Sequence, residues 1–149
     1  MVCLGNICRS PIAEGVLRNK AQQHGLNWTI DSAGTESYHV GEPPHRFSQK
    51  ICTANGIDIC YQRARQFVKA DFKNYDLIYA LAGDVYAEIG RIGGLQADMK
   101  KVHYFMNELH AGTNESVPDP YYGAENGYET VYRLIDKVCD AIITNYGNN

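Results

Sequence analysis

Residues Cys3 to Ser10 read Cys-Leu-Gly-Asn-Ile-Cys-Arg-Ser, and Pro11 follows directly. This segment leaves the chain little choice. Gly5 and Asn6 tolerate left-handed backbone. Ser10 and Pro11 together signal a helix start, with Ser expected as N-cap and Pro at the first helical position. Ile12, Ala13, Val16 and Leu17 then recur at helical spacing, and Gly25 closes the segment. A tight turn feeding straight into a helix gathers free backbone N–H groups into a concave anion site, reinforced by the positive end of the helix dipole.

Two reactive side chains flank that turn. Arg9 carries a planar fork that matches two oxygens of a tetrahedral anion. Cys3 lies six positions earlier, and a thiol becomes a strong nucleophile as thiolate, which positive potential favours. The amides of Leu4, Gly5, Asn6, Ile7 and Cys8 can therefore curl around one dianion with Cys3 at the base. The other cysteines do not repeat the spacing: Cys8, Cys52, Cys60 and Cys139 have Glu14, Asp58, Gln66 and Asn145 six positions on.

Composition narrows the class. A chain of 149 residues builds one domain with a sizeable core. A net charge of −3 and the lack of a basic run argue against nucleic-acid binding. No apolar stretch reaches membrane-spanning length and no signal peptide opens the sequence, so neither a membrane nor export is expected. Five cysteines is an odd count, and a thiolate nucleophile needs reduced thiols, so a cytoplasmic location is expected. The five histidines show no metal-ligand spacing. They read as solvated surface, and the protein as metal-free and without cofactor.

Hydrophobic patterning alternates strand and helix. Val2 ends strand one, residues 11–24 form a helix, and Trp28-Thr29-Ile30 form strand two. A loop carries Ser32 to Pro44. Residues 45–55 are helical, and Ala70-Asp71-Phe72 is a short helix. Asp76 to Ala82 is a buried strand, residues 84–91 are helical, and Lys101 to Met106 form the fourth strand. Tyr128 to Tyr146 is a long helix with Val131, Leu134, Ile135, Val138 and Ile142 facing the core. The order predicts a single α/β domain over 1–149: a four-stranded parallel sheet, doubly wound, with helices on both faces. Ligands bind beyond the carboxyl ends of such strands, where both Cys3 and the loop carrying Asp119 fall.

The segment from Cys3 to Pro11 resembles the phosphate loop of the low-molecular-weight protein tyrosine phosphatases. The resemblance continues through Asp31-Ser32-Ala33-Gly34-Thr35, Gly41-Glu42-Pro43-Pro44, Arg63-Ala64-Arg65-Gln66 and Asp119-Pro120-Tyr121-Tyr122-Gly123. It implies hydrolysis of protein phosphotyrosine and small aryl phosphates through a phosphocysteine on Cys3. Arg9 and the loop amides would bind phosphate, and Asp119 would be general acid and then base. Asp119 before Pro120 also reads as an ordinary turn residue. The resemblance further implies that Ser10 donates to the Cys3 thiolate and that Asn6, partnered by Ser32, keeps the loop curled. Tyr38, Tyr121 and Tyr122 would wall the cleft, and Arg65 would be structural, held by a carboxylate. Cys8 reads either as a disulfide partner protecting Cys3 or as a small buried residue. Phosphate and other oxyanions are the expected inhibitors, and the oligomeric state a monomer or weak dimer.

Three departures stand out. Only Met1 and Val2 precede Cys3, where relatives carry several more strand residues, so either the natural start lies further upstream or strand one is unusually short. Leu81-Ala82 replaces the Met-Asp of many relatives. Gln62 stands where some relatives have His. Two other activities use the same fold. An arsenate reductase needs a resolving cysteine pair, for which Cys52 and Cys60 are the candidates, though they fall near a helix end. A phosphoarginine phosphatase resembles this loop with Thr in place of Ile7, and Ile7 favours an aromatic substrate.

Overall fold

The computed structural model describes residues 1–148. Four strands form one parallel sheet: β1 (Val2–Cys3), β2 (Ala33–Gly34), β3 (Ile78–Ala80) and β4 (Val102–Tyr104), in the order β2-β1-β3-β4. The register pairs Val2 with Ala33 and Ala80, Cys3 with Gly34, and Ile78, Tyr79 and Ala80 with Val102, His103 and Tyr104.

The period-two alternation of strand side chains divides the core between the two faces. Cys3, Tyr79 and Leu81 point to one side, where they meet α1 (Arg9–Gln23) and α5 (Asn126–Tyr146). Val2, Ile78 and Ala80 point to the other, against Phe72 of α3 (Asp71–Asn74) and Val85 and Ile89 of α4 (Gly83–Gly93). Helix α2 (Arg46–Ala54) packs beside α1 and α5. A smaller cluster of Ile7, Cys8, Ala64 and Tyr128 closes the first loop onto α2 and α5. The expected doubly wound sheet is therefore present.

Element ends differ from the sequence reading in instructive ways. The N-terminal helix begins at Arg9, with Cys8 as its cap residue and no side-chain cap bond. Ser10 is already inside it, because its hydroxyl is bound elsewhere, as described below. Strand two is Ala33–Gly34, not Trp28-Thr29-Ile30. The ladder with β1 is made by Ala33 and Gly34, and residues 28–30 pair with no strand among the described residues. The fourth strand stops at Tyr104 and tightens into a 3-10 turn over Phe105–Glu108.

At the amino end of the sheet a cavity of about 530 Å³ opens between Trp28–Ser32 on one side and Asn74–Ile78 on the other, with Met1 at its head. The Met1 ammonium donates to the Asp31 carbonyl at 3.1 Å. Burial lowers its pKa, against the carboxylates of Glu14 and Asp31, which raise it. The carboxyl end of the sheet carries the reactive groups.

Candidate active site

The chain from Cys3 to Arg9 forms a loop that joins β1 to α1. Its carbonyl oxygens are tied outward. Those of Cys3, Leu4 and Ile7 accept from the N–H groups of Thr35, Glu36 and His45 at 2.8 to 3.0 Å. That of Cys8 accepts from the Ser48 hydroxyl at 3.2 Å. By contrast, the N–H groups of residues 4–8 have no protein acceptor among the described residues. Buried N–H groups almost always find a partner, so a row of unpaired ones around a loop defines an anion-binding concavity.

Two features hold this curl. Asn6 sits at φ 58°, in the left-handed region, which Asn enters at lower cost than most residues. Gly34 lies under the loop: a Cβ there would stand 2.8 Å from the Leu4 carbonyl oxygen and 3.1 Å from the Asn6 nitrogen. Only a glycine lets β2 approach so closely.

At the base, the buried Cys3 Sγ lies 3.0 Å from Ser10 Oγ. Asn6 Nδ2 donates to Ser10 Oγ at 2.7 Å and to Ser32 Oγ at 2.9 Å. Asn6 Oδ1 accepts from the Arg65 backbone N–H at 3.0 Å, which fixes the amide orientation. The Arg65 side chain binds Asp31 at 3.0 Å and both oxygens of Asp71 at 3.0 and 3.2 Å.

Arg9 is 6 % exposed and extends from the first turn of α1. One guanidinium nitrogen donates to the Val117 carbonyl at 3.1 Å and another lies 3.4 Å from Asp119 Oδ2. The loop bearing Asp119 is itself pinned to the sheet, since the Val117 N–H donates to the Leu81 carbonyl at 2.7 Å. A carboxylate 110 residues away in sequence thus stands at the rim of the loop. Asp119 also accepts from the Tyr121 N–H at 3.1 Å, so the turn reading of Asp119 holds alongside any other role.

The rim is aromatic. Tyr121 packs against His39 and His45, with centroids 6.3 and 5.9 Å apart. Tyr122 stands edge-on to Tyr121 at 4.9 Å and is largely exposed. Tyr38 is exposed on the segment that follows β2 and makes no aromatic pair among the described residues.

Reading all the histidines as solvated surface missed three of them: His103 is half-buried in β4, its ring 6.1 Å from that of Tyr79, and the other two lie at the rim. The ring of His39 covers Gly5, 3.1 Å from where a Cβ would stand. His45 stacks on Tyr128 at 5.4 Å, and its Nδ1 accepts from the Phe47 N–H to cap α2. Burial, then the charge of Arg46, lowers the His45 pKa. Nothing in the spacing of five scattered histidines signals these contacts. Tyr128 and Glu14 were also missed. Each lies on a helix at a position that reads as ordinary packing or solvated surface.

The remaining cysteines separate clearly. Cys8 lies 3.4 Å from the Tyr128 hydroxyl, and burial pushes its thiol up to about 11. Cys52 is fully buried, with its thiol pushed up to about 12, whereas Cys60 is exposed beside Asp58. Gln62 donates to the Pro11 carbonyl at 3.0 Å while its Oε1 is buried without a partner among the described residues. The described residues contain no cluster of three or more His, Cys, Asp or Glu side chains suited to a metal ion. No helix among them is long and apolar enough to cross a membrane.

The chain is similar to known proteins over nearly its whole length. The family model for "Low molecular weight phosphotyrosine protein phosphatase" matches residues 1–149. The protein of that name from Schizosaccharomyces pombe is 40 % identical over 139 residues, covering 91 % of this chain and 88 % of the relative. The human one is 34 % identical over 144 residues, covering 95 % and 90 %. The crystal structure of YfkJ from Bacillus subtilis superposes with a TM-score of 0.89 at 33 % identity, covering 99 % of this chain and 92 % of that one. Wzb from Vibrio vulnificus, solved in complex with benzylphosphonate, gives 0.86 at 26 % identity, covering 97 % and 94 %.

Proposed function

Because this chain belongs to the low molecular weight phosphotyrosine protein phosphatase family, a family of hydrolases, we propose that it cleaves phosphotyrosine in proteins, and small aryl phosphates, through a phosphocysteine on Cys3. The observation that carries this reading is the loop itself: Cys3 opens it, the N–H groups of residues 4–8 have no protein acceptor among the described residues, and Arg9 stands at its end. A phosphoryl dianion supplies the acceptors those groups lack.

In this mechanism the Cys3 thiolate attacks phosphorus in line as the bond to the tyrosyl oxygen breaks. Arg9 turns its fork from Val117 and Asp119 to two equatorial oxygens, and the loop amides hold the charge that builds on them. Asp119, in its acid form, gives its proton to the departing oxygen. Water then attacks phosphorus, Asp119 takes its proton, and the S–P bond breaks to restore the thiolate. The Ser10 hydroxyl stabilises that thiolate from 3.0 Å. Tyr121 and Tyr122, with Tyr38, form the walls against which a phenyl ring packs. The benzylphosphonate in the Vibrio vulnificus relative carries a phenyl ring one carbon from a phosphonate, which supports an aromatic phosphate as substrate. Inorganic phosphate and sulfate act as competitive inhibitors. The protein works in the cytoplasm as a monomer or weak dimer, without metal or cofactor.

Arsenate reduction is disfavoured by its candidate resolving pair: Cys52 is sealed in the core while Cys60 faces solvent. Ile7, packed with Cys8 and Tyr128, favours phosphotyrosine over phosphoarginine.

The direct test is turnover of p-nitrophenyl phosphate and of a phosphotyrosyl peptide by the parent protein and by Cys3→Ser. Activity in the parent and none in the variant is expected. Equal activity in both would overturn the nucleophile assignment.

A further inference from the structure

Positive charge is unevenly placed on this chain. Its net charge is −3, yet four of its seven lysines fall in two short stretches, Lys69 with Lys73 and Lys100 with Lys101. The fold brings the two stretches together. Lys101, at the end of the 3-10 turn Met99–Lys101, donates from Nζ to the Phe72 carbonyl of α3 at 2.6 Å. Lys69, Lys73 and Lys100 are exposed. Among the described residues the ion-paired lysines are Lys20 and Lys50, so these three carry uncompensated charge.

The nearby carboxylates are turned inward or already engaged. Asp71, the acid of α3, is buried, and its oxygens accept from Arg65 and from the Val68 N–H. The outer face of this short helix therefore presents cations alone. Asp98 accepts from the Lys100 N–H at 3.3 Å through Oδ1 and caps the turn that carries that lysine.

Between the two stretches the surface is concave. Lys69, Ala70, Phe72 and Lys73 on one side, with Gln96 and Asp98 on the other, line an open depression of about 600 Å³. Its walls are held firmly: a Cβ on Gly93 would stand 2.5 Å from the Phe72 ring and 2.7 Å from the Ala97 Cβ. Two exposed apolar side chains adjoin it, Val68 next to Lys69 and Leu95 next to Gln96. Single exposed apolar residues are ordinary, but here they border a concavity lined by unpaired cations. The depression also lies away from the candidate active site. Helix α3 precedes the start of β3 and Lys101 precedes the start of β4, which is the amino end of the sheet.

We propose that this depression docks an acidic segment of a partner protein: an apolar side chain enters over Phe72 while flanking Asp or Glu side chains pair with Lys69 and Lys73. The lining selects a peptide over other anions. A bilayer is broad and flat and does not enter a concavity. A phosphate-rich strand meets the Asp98 carboxylate, and no exposed aromatic ring in the lining stacks a base. A peptide instead offers a backbone N–H to Asp98. Charge pairing of this kind gives on-rate and selectivity more than affinity, so the contact is weak, fast and sensitive to salt.

The test is fluorescence anisotropy of fluorescein-labelled Glu-Asp-Glu-Leu-Glu-Asp-Glu with the parent protein, at about 20 mM and about 300 mM salt. Saturable binding that weakens at the higher salt is expected, and a probe with Ser in place of its Leu should bind less tightly. The double variant Lys69→Glu/Lys73→Glu is expected to lose about 10-fold in affinity. Arg133→Glu/Lys137→Glu, on the exposed face of α5, makes the same change in net charge and should bind as the parent does. No binding by the parent, or equal losses in the two double variants, would overturn the proposal. So would binding to phosphatidylserine vesicles in place of the peptide, or competition between the peptide and p-nitrophenyl phosphate. If the charge reversal does not fold, Lys69→Gln/Lys73→Gln carries the test, and unchanged affinity there overturns it. The nucleophile assignment stands or falls separately, on the phosphatase activity of Cys3→Ser.

Discussion

At the scale of single residues, the site depends on atoms that have no room to move. Gly34 is the clearest case. An added Cβ would meet the Leu4 carbonyl oxygen at 2.8 Å and the Gly5 carbonyl carbon at 3.0 Å, both backbone atoms of the loop between β1 and α1. Backbone cannot rotate away as a flexible side chain can. Gly34→Ala is therefore expected to cost about 1–3 kcal/mol of stability by overpacking and to lower kcat/KM by displacing the loop. Urea unfolding and p-nitrophenyl phosphate kinetics measure the two, and a variant matching the parent in both would contradict the close approach. Asp119 makes a different kind of prediction. General acid catalysis is typically worth about 10²–10⁴-fold, but only when the leaving oxygen needs a proton. Asp119→Asn should reduce kcat most for leaving groups of high pKa, such as phenol, and least for p-nitrophenol. The same loss across a leaving-group series would rule out the acid role.

At the scale of elements, helices were easier to read from sequence than strands. Helix α5 was expected over Tyr128 to Tyr146 and spans Asn126–Tyr146, because a long amphipathic repeat carries its own evidence. Trp28-Thr29-Ile30 looked like a strand on side-chain type, yet a strand exists only beside a partner. Here the ladder with β1 is made by Ala33 and Gly34 instead, a register that side-chain type does not encode.

At the scale of the whole molecule, sequence order revealed which groups share the carboxyl end of the sheet, but not the bonds that join them. Cys3 and Arg9 stood out from their spacing at a turn that opens a helix, whereas Asp119 was singled out only through the family resemblance, since on its own it reads as a turn residue before Pro120. Glu14, Tyr128, His39 and His45 were not, since their roles arise from contacts between elements far apart in the chain. The ion cluster of Arg65 with Asp31 and Asp71 is of the second kind. It ties the segment before β2 to α3 and presents the Arg65 N–H to Asn6. Burial raises the Asp31 pKa, but the Ser32 N–H, Arg65 and the Tyr75 hydroxyl outweigh it, so the net shift is downward from the ordinary value of 3.8. A carboxylate with a depressed folded pKa contributes stability that is present above its unfolded value and lost as pH falls through the folded one. The parent should therefore lose resistance to urea as pH drops below about 4. Asp31→Asn, which cannot be titrated, should start less stable at pH 6 and fall less steeply between pH 5 and 3. Glu14 works in the opposite sense: its raised pKa means that its ionisation, as pH climbs above the ordinary value of 4.5, detracts from stability. In the Asp31→Asn background the acid limb should flatten further or reverse, because the Glu14 contribution is then less masked. Urea midpoints at half-unit steps of pH test this, and an acid limb as steep in Asp31→Asn as in the parent would remove the Arg65 cluster from the account of acid stability.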